Sequence, residues 1–228
     1  MEQTKKRSLA EKINVMRASV MGANDGIVSV AGIVLGVAGA TNNSYAIFLA
    51  GIAGMLAGTI SMAMGEWVSV NTQRDSEKRA IERESAALDN DYAGEVTYIK
   101  NKYMATGISE NLAQKATDEM MKGDRLYTAV RERYGFNPKE KTSAFAAAIA
   151  SMIAFPTGSI LPLVSITLFP AEIRISATVI AVVVALAVTG YTAAALGNAN
   201  RFQAVVRNVI SGILTMLITY LIGHLFAR

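Results

Sequence analysis

The sequence predicts an all-α, polytopic membrane protein with five transmembrane helices and a cytoplasmic helical insert between the second and third spans. Three observations carry that fold class. The 228-residue chain is 52% hydrophobic with positive mean hydropathy, yet 18% of it is charged, and the charges gather in an N-terminal segment and one central block. That is the distribution of membrane spans plus a polar segment, not of a soluble core. Five apolar stretches reach the roughly 20 residues needed to cross a bilayer. The Lys and Arg between them agree with one orientation under the positive-inside rule.

Residues 1–17 form a polar, basic segment with Lys5, Lys6, Arg7, Lys12 and Arg17 against Glu2 and Glu11. Positive charge keeps it in the cytoplasm, and its expected form is a short helix at the membrane interface. Residues 18–70 hold the first two spans, 18–40 and 45–70. They are joined by the turn Thr41-Asn42-Asn43-Ser44, which lacks Lys and Arg and suits the far side. Residues 71–142 are the polar insert, with thirteen Lys or Arg and thirteen Asp or Glu. Helices are expected over 72–89, 94–106 and 109–134, with stops at Gly107 and Gly135 and Ser109 as an N-cap. Asn137-Pro138 ends the block. A helical domain of this size hardly buries a large core alone and is expected to pack against a partner copy.

Residues 143–228 supply spans 143–169, 175–196 and 205–226. Pro156 and Pro162 inside the third imply a kink or locally irregular helix, tolerated within a bundle. Arg201 and Arg207 place the last connection in the cytoplasm, whereas Glu172 with Arg174 says little about the one before. The N-terminus is then inside and the C-terminus outside.

Composition excludes several classes. There is no cysteine, hence no disulfide, thiolate zinc site or iron–sulfur cluster. The net charge of +4 follows the topology and indicates no nucleic-acid partner. No nucleophile–base arrangement or nucleotide-binding loop is present, so neither an enzyme nor an ATP-driven pump is expected. No cleavable signal is expected either, because the first span is too long for one and lacks an A-x-A exit.

The chemistry gathers in the first two spans. Asp25 lies eight residues past Arg17, about 12 Å along a helix and well inside the hydrocarbon. A carboxylate there costs at least about 2.5–3.5 kcal/mol and is functional by default. The alternative is that Asn24 and Asp25 cap a helix break and pair within the bundle. Met62 lies nine residues before Asn71, so antiparallel spans put it at about the depth of Asp25. Glu66 shares its helix face, roughly 6 Å nearer the cytoplasm. A carboxylate–thioether–carboxylate ladder suits a borderline divalent cation such as Fe2+, the sulfur tilting the choice away from Mg2+ or Ca2+. Met62 could equally fill a packing gap. Glycine pairs four apart, Gly22/Gly26, Gly32/Gly36 and Gly54/Gly58, allow close helix approach. They suggest a homodimer with the path between first and second spans.

The segments MRASVMGANDGIVSVAGIVLGVAGA and AGIAGMLAGTISMAMGEWVSVNTQRD resemble the vacuolar iron transporter family. Its pattern G-A-N-D-G-I-V-S stands whole at residues 22–29. Its S-M-A-x-G-E-[YW]-V-S-V stands at 61–70, with Trp67 where Tyr is more usual. The resemblance covers nearly the whole chain. It implies a five-span homodimer exchanging Fe2+ for protons, moving metal out of the cytosol across a cell membrane or vacuole-type membrane. It implies no cofactor; the metal, whether Fe2+, Mn2+ or Co2+, is cargo. Asp25 and Met62 would line the path with Glu66 close by. The insert would be a three-helix metal-gathering domain. By position Glu84 and Glu95 match its acidic ligands and Met120 and Met121 its methionine pair, with Asp124 where Glu is usual. Ala87 and Tyr98 stand at two further acidic positions, and Glu82 and Glu119 are second choices. On a helix over 109–134 both sulfurs would reach the Asp124 carboxylate; packing methionines and a solvated charged face explain the same residues. His224 near the end of the last span is expected to be interfacial. A Mn2+ transporter and a non-transporting membrane metal sensor remain open beside the Fe2+ reading.

Overall fold

The computed structural model describes residues 8–227. Glu2, Lys5, Lys6 and Arg7 of the basic N-terminal segment lie outside the described residues. Among the described residues the chain is helical, with eight helices in the order α1 Leu9–Ala40, α2 Ser44–Asn90, α3 Tyr92–Ala105, α4 Glu110–Met121, α5 Arg125–Tyr134, α6 Ala144–Leu168, α7 Arg174–Leu196 and α8 Arg201–Leu225. Helices α1, α2, α6, α7 and α8 are long and apolar enough to cross a membrane. A spanning helix satisfies its backbone internally, and only its ends need partners. Side chains supply many of these. The Asn43 Oδ1 accepts from the amides of Tyr45 and Ala46 at the start of α2, Ser143 Oγ from Ala146, and Asn200 Oδ1 from Gln203.

Several expected boundaries move. Residues 9–17 are not a separate interfacial helix; they are the first turns of α1, which has no proline and continues to Ala40. The helix also runs unbroken through Asn24 and Asp25, so those residues cap no break. The second span and the expected helix over 72–89 are one 47-residue helix, because only the polarity changes at Val70 while helix formers continue. The expected helix over 109–134 is two. Lys122-Gly123-Asp124 interrupts it, and the Asp124 carboxylate accepts from the Tyr127 amide as the N-cap of α5. Helix α6 stays helical through both prolines.

The chain divides into two compact units. The span unit holds Lys12–Val68 and Ser143–Arg228; the polar unit holds Ser69–Thr142 with the N-terminal stretch through Glu11. At the centre of the span unit is α1. Its Val30, Ala31, Val34 and Leu35 pack with Ile47, Phe155, Ile166, Val182, Leu186 and Met216. The glycine pairs are used inside this unit. A β-carbon on Gly26 would collide with the Phe155 carbonyl and one on Gly158 with that of Ala23, so α1 and α6 touch backbone to backbone. Gly36 and Gly223 do the same for α1 and α8, while Gly54 receives the Ile33 side chain and Gly58 the Phe155 ring. The dimer suggested by these glycines therefore loses that support, since their small faces are already filled. The apolar stretches of α2 and α8 are only 17% and 11% buried, against 44% for α1. Their outer faces are apolar and exposed.

The polar unit is built on the later part of α2 with α3, α4 and α5. Its core is small: Ala80, Ile99, Ala113, Met121, Ala129 and Val130 are buried. Ile99 and Met121 are its largest apolar anchors, each contributing roughly 1.5–3 kcal/mol on burial. With so few, the unit leans on ion pairs between helices.

Candidate metal site

Asp25 sits about a third of the way along the apolar length of α1 and is half-buried. Its neighbour one helical turn on, Ser29, donates from Oγ to Oδ1 at 2.7 Å. Among the described residues no Lys, Arg or His forms an ion pair with it. Polar atoms without a protein partner lie nearby: Asn24 Oδ1, and Ser151 Oγ on α6, both buried. Ser151 is fully buried and faces Gly22, half a turn before Asn24. In a span such orphans cost free energy unless water or a passing ion meets them.

Glu66 behaves differently. It is 3% exposed, and its Oε2 accepts from Arg17 Nη2 at 2.7 Å. The same Arg17 nitrogen lies 3.2 Å from Asn14 Oδ1. In the sequence Arg17 stands only as the basic edge of the first span; its pairing with Glu66 joins α1 to α2 in the fold. The register of those two antiparallel helices follows from Arg17 against Glu66, Ile33 against Gly54, and Val34 against Gly51. It sets Asp25 opposite about residue 60, within roughly 4 Å of Met62 in height and 9 Å of Glu66. Met62 is partly buried and packs against the apolar core beside Met55. Its thioether is thus at the expected depth while also serving as packing. A cavity of about 410 Å³ between α1, α7 and α8 reaches Asn24. Arg17 and Arg207 line it, which disfavours a cation there.

In the polar unit the expected ligands separate. Glu84 on α2 and Glu95 on α3 do meet, but across Arg133 of α5. Arg133 Nε lies 3.1 Å from Glu84 Oε2, and Nη2 donates to Glu95 Oε2 at 2.5 Å. Burial, and then the neighbouring Glu95 carboxylate, push the Glu84 carboxyl above the usual range; Arg133 pulls the other way. Met120 Sδ accepts from the Tyr103 hydroxyl at 3.8 Å. Met121 is 2% exposed in the core. Asp124 caps α5 and pairs with Lys139 Nζ at 2.8 Å, and those two bonds hold its carboxyl below the usual range. Met120, Met121 and Asp124 therefore do not share one helix face. Glu82 and Glu119 pair with Lys78 and Lys122 on the surface. Among the described residues no three His, Cys, Asp or Glu side chains converge on one point. His224 is exposed at the end of α8 and stacks on Tyr220 at 6.4 Å.

The likeness to known proteins covers both units. The VIT family profile matches residues 16–224. A vacuolar iron transporter of Acanthamoeba castellanii is 33% identical over 92% of this chain and 78% of its own length. Vacuolar iron transporter homolog 2.1 of Arabidopsis thaliana is 34% identical over 96% and 87%. Vacuolar iron transporter homolog 2 of Oryza sativa subsp. japonica is 35% identical over 93% and 90%. With five membrane-length helices and a match over nearly its whole length, this chain belongs to the VIT family of multi-pass membrane proteins.

Proposed function

We propose that the protein carries a divalent metal, Fe2+ in the first place, out of the cytosol in exchange for protons. The observation that carries this reading is Asp25. Of the two acidic residues in the spans, Glu66 has its own cation in Arg17, whereas among the described residues the side-chain partner of Asp25 is a serine hydroxyl. An unpaired carboxylate at that depth takes up either a cation or a proton, and one group that accepts both alternately couples their movements. Met62 supplies a sulfur near the same height, which favours Fe2+ or Co2+ over hard cations. Glu66 stands nearer the cytoplasmic end, where an arriving ion competes with Arg17. The names of the relatives support iron as the cargo. In this reading the N-terminus and polar unit are cytoplasmic, the C-terminus is outside, and two copies associate through the open faces of α2 or α8. The polar unit's Glu84, Glu95, Met120, Met121 and Asp124 are not needed for the coupled step.

The test is uptake by purified protein in proteoliposomes under an imposed pH gradient, with Fe2+ and Mn2+ supplied separately and in competition. Gradient-dependent Fe2+ uptake that Mn2+ inhibits only weakly is the expected result. Preference for Mn2+ would change the cargo, and no movement of either metal would leave a membrane metal sensor as the better reading.

A further inference from the structure

The acidic centre of the polar unit already contains a cation. Arg133 reaches from α5 between Glu84 of α2 and Glu95 of α3, within ion-pair distance of both at 3.1 and 2.5 Å. Its guanidinium lies over the Tyr98 ring, 3.9 Å from the centroid. Tyr98 is three residues from Glu95 on α3, so ring and carboxylate share one face. Glu84 is 1% exposed and Glu95 12% exposed, and Arg133 is 30% exposed. A guanidinium does not lose its charge in a protein, and its planar fork matches two carboxylates while its face matches an aromatic ring. Three helices are thus joined through one side chain.

We infer that Arg133 is the resident cation of this centre: it occupies, between Glu84 and Glu95 and against Tyr98, the place a divalent ion would take, so the polar unit is complete without metal. The geometry supports this: Nε and Nη2 of the one guanidinium each reach a carboxylate oxygen, of Glu84 and of Glu95. A divalent ion would have to enter beside a fixed positive charge, or displace it and leave a guanidinium without its carboxylates. Tyr98, which supplies no carboxylate, supplies the platform for the arginine. The remaining expected ligands are engaged elsewhere: Met121 in the core, Asp124 with Lys139 and the start of α5. Removal of the Arg133 charge alone uncovers two adjacent carboxylates, which is a latent divalent-metal site. The inference concerns the polar unit and stands whether or not the spans transport metal.

The experiment counts Mn2+ bound to the full-length protein in detergent, from the loss of the free-ion electron paramagnetic resonance signal. Four proteins are compared: native, Glu84→Gln, Arg133→Met and the double variant. Native and Glu84→Gln should bind the same number of ions. Arg133→Met should bind one more per chain, and adding Glu84→Gln should remove it. The thermal midpoint of Arg133→Met should fall without metal and recover with Mn2+. Loss of an ion from Glu84→Gln, or a folded Arg133→Met that gains none, overturns the inference. Should Arg133→Met fail to fold, the native and Glu84→Gln comparison decides by itself. Ions bound in the spans are common to all four proteins and cancel, so failure of the transport reading would show in uptake and not in these differences.

Discussion

Arg17→Gln is the perturbation whose size follows most directly from the geometry. The Arg17–Glu66 bond is 2.7 Å long, with Glu66 3% exposed and Arg17 46% exposed. A hydrogen bond between charged groups contributes roughly 1.5–3 kcal/mol when sheltered. Half-exposure of the guanidinium brings that to about 1–2 kcal/mol through solvent screening. In the proposed path, a metal ion arriving at Glu66 would have to overcome this competition. Removing it should lower the half-saturating Fe2+ concentration by about 5–30-fold, at 1.4 kcal/mol per factor of ten. The same change removes a cation from a buried carboxylate, so thermal stability without metal should fall and should recover when metal is added. Arg17→Lys keeps the charge and should stay close to native. The assay is initial Fe2+ uptake into proteoliposomes over a range of concentrations, with Arg17→Gln, Glu66→Gln and the double variant as a cycle. The gain should vanish when Glu66 is also neutral. A folded Arg17→Gln with unchanged or higher half-saturation would refute the reasoning that Arg17 and metal compete for Glu66.

Met62→Leu keeps nearly the same volume, so packing should cost under about 1.5 kcal/mol, while Fe2+ uptake should drop much more than Mn2+ uptake; equal losses would reduce Met62 to packing. Gly26→Val drives a side chain into the Phe155 carbonyl, a backbone atom that cannot yield, and should destabilise by more than the usual 1–3 kcal/mol of overpacking. Gly65→Ala, with open space around it, should unfold at or slightly above the native midpoint in detergent. Met120→Leu should leave the Fe2+ half-saturation within about twofold of native, as expected where a thioether only packs; a large rise would restore Met120 to the metal-binding set. Asp124 is held below the usual carboxylate range by Lys139 and the Tyr127 amide. Its contribution to stability is therefore present above the unfolded value of about 3.9 and is lost as pH falls through the folded one. Asp124→Asn should flatten the acid side of the stability profile of the polar unit, and an unchanged slope would show that the Lys139 contact is not made.

Span identity was legible because it depends only on hydropathy and length. The third and fourth spans fall within a residue of the expected limits. The fifth starts four residues early because Asn200 caps it, a signal weaker to the eye than the interruption by Arg201 and Arg207. The length of α2 was hidden, since a change from apolar to polar composition looks like an end even where no Gly or Pro breaks the helix. The split at Gly123 is readable as glycine followed by a capping Asp, whereas the expected helix over 109–134 runs through it. The depth of Asp25 and Met62 followed from counting along each helix. Pairings did not: Arg17 with Glu66 and Arg133 with Glu84 and Glu95 join residues far apart in sequence, and charge composition alone does not distinguish a free carboxylate from a paired one.

In the proposed mechanism the Asp25 carboxylate alternately holds metal and proton. Asp25→Asn tests it most directly, because the amide has nearly the same shape and can still accept from Ser29 yet carries no charge. The measurement is Fe2+ uptake driven by a pH gradient in proteoliposomes, on protein whose elution profile and thermal midpoint match the native. Uptake should fall to the level of empty liposomes. Retained gradient-driven uptake by the folded variant would contradict the account.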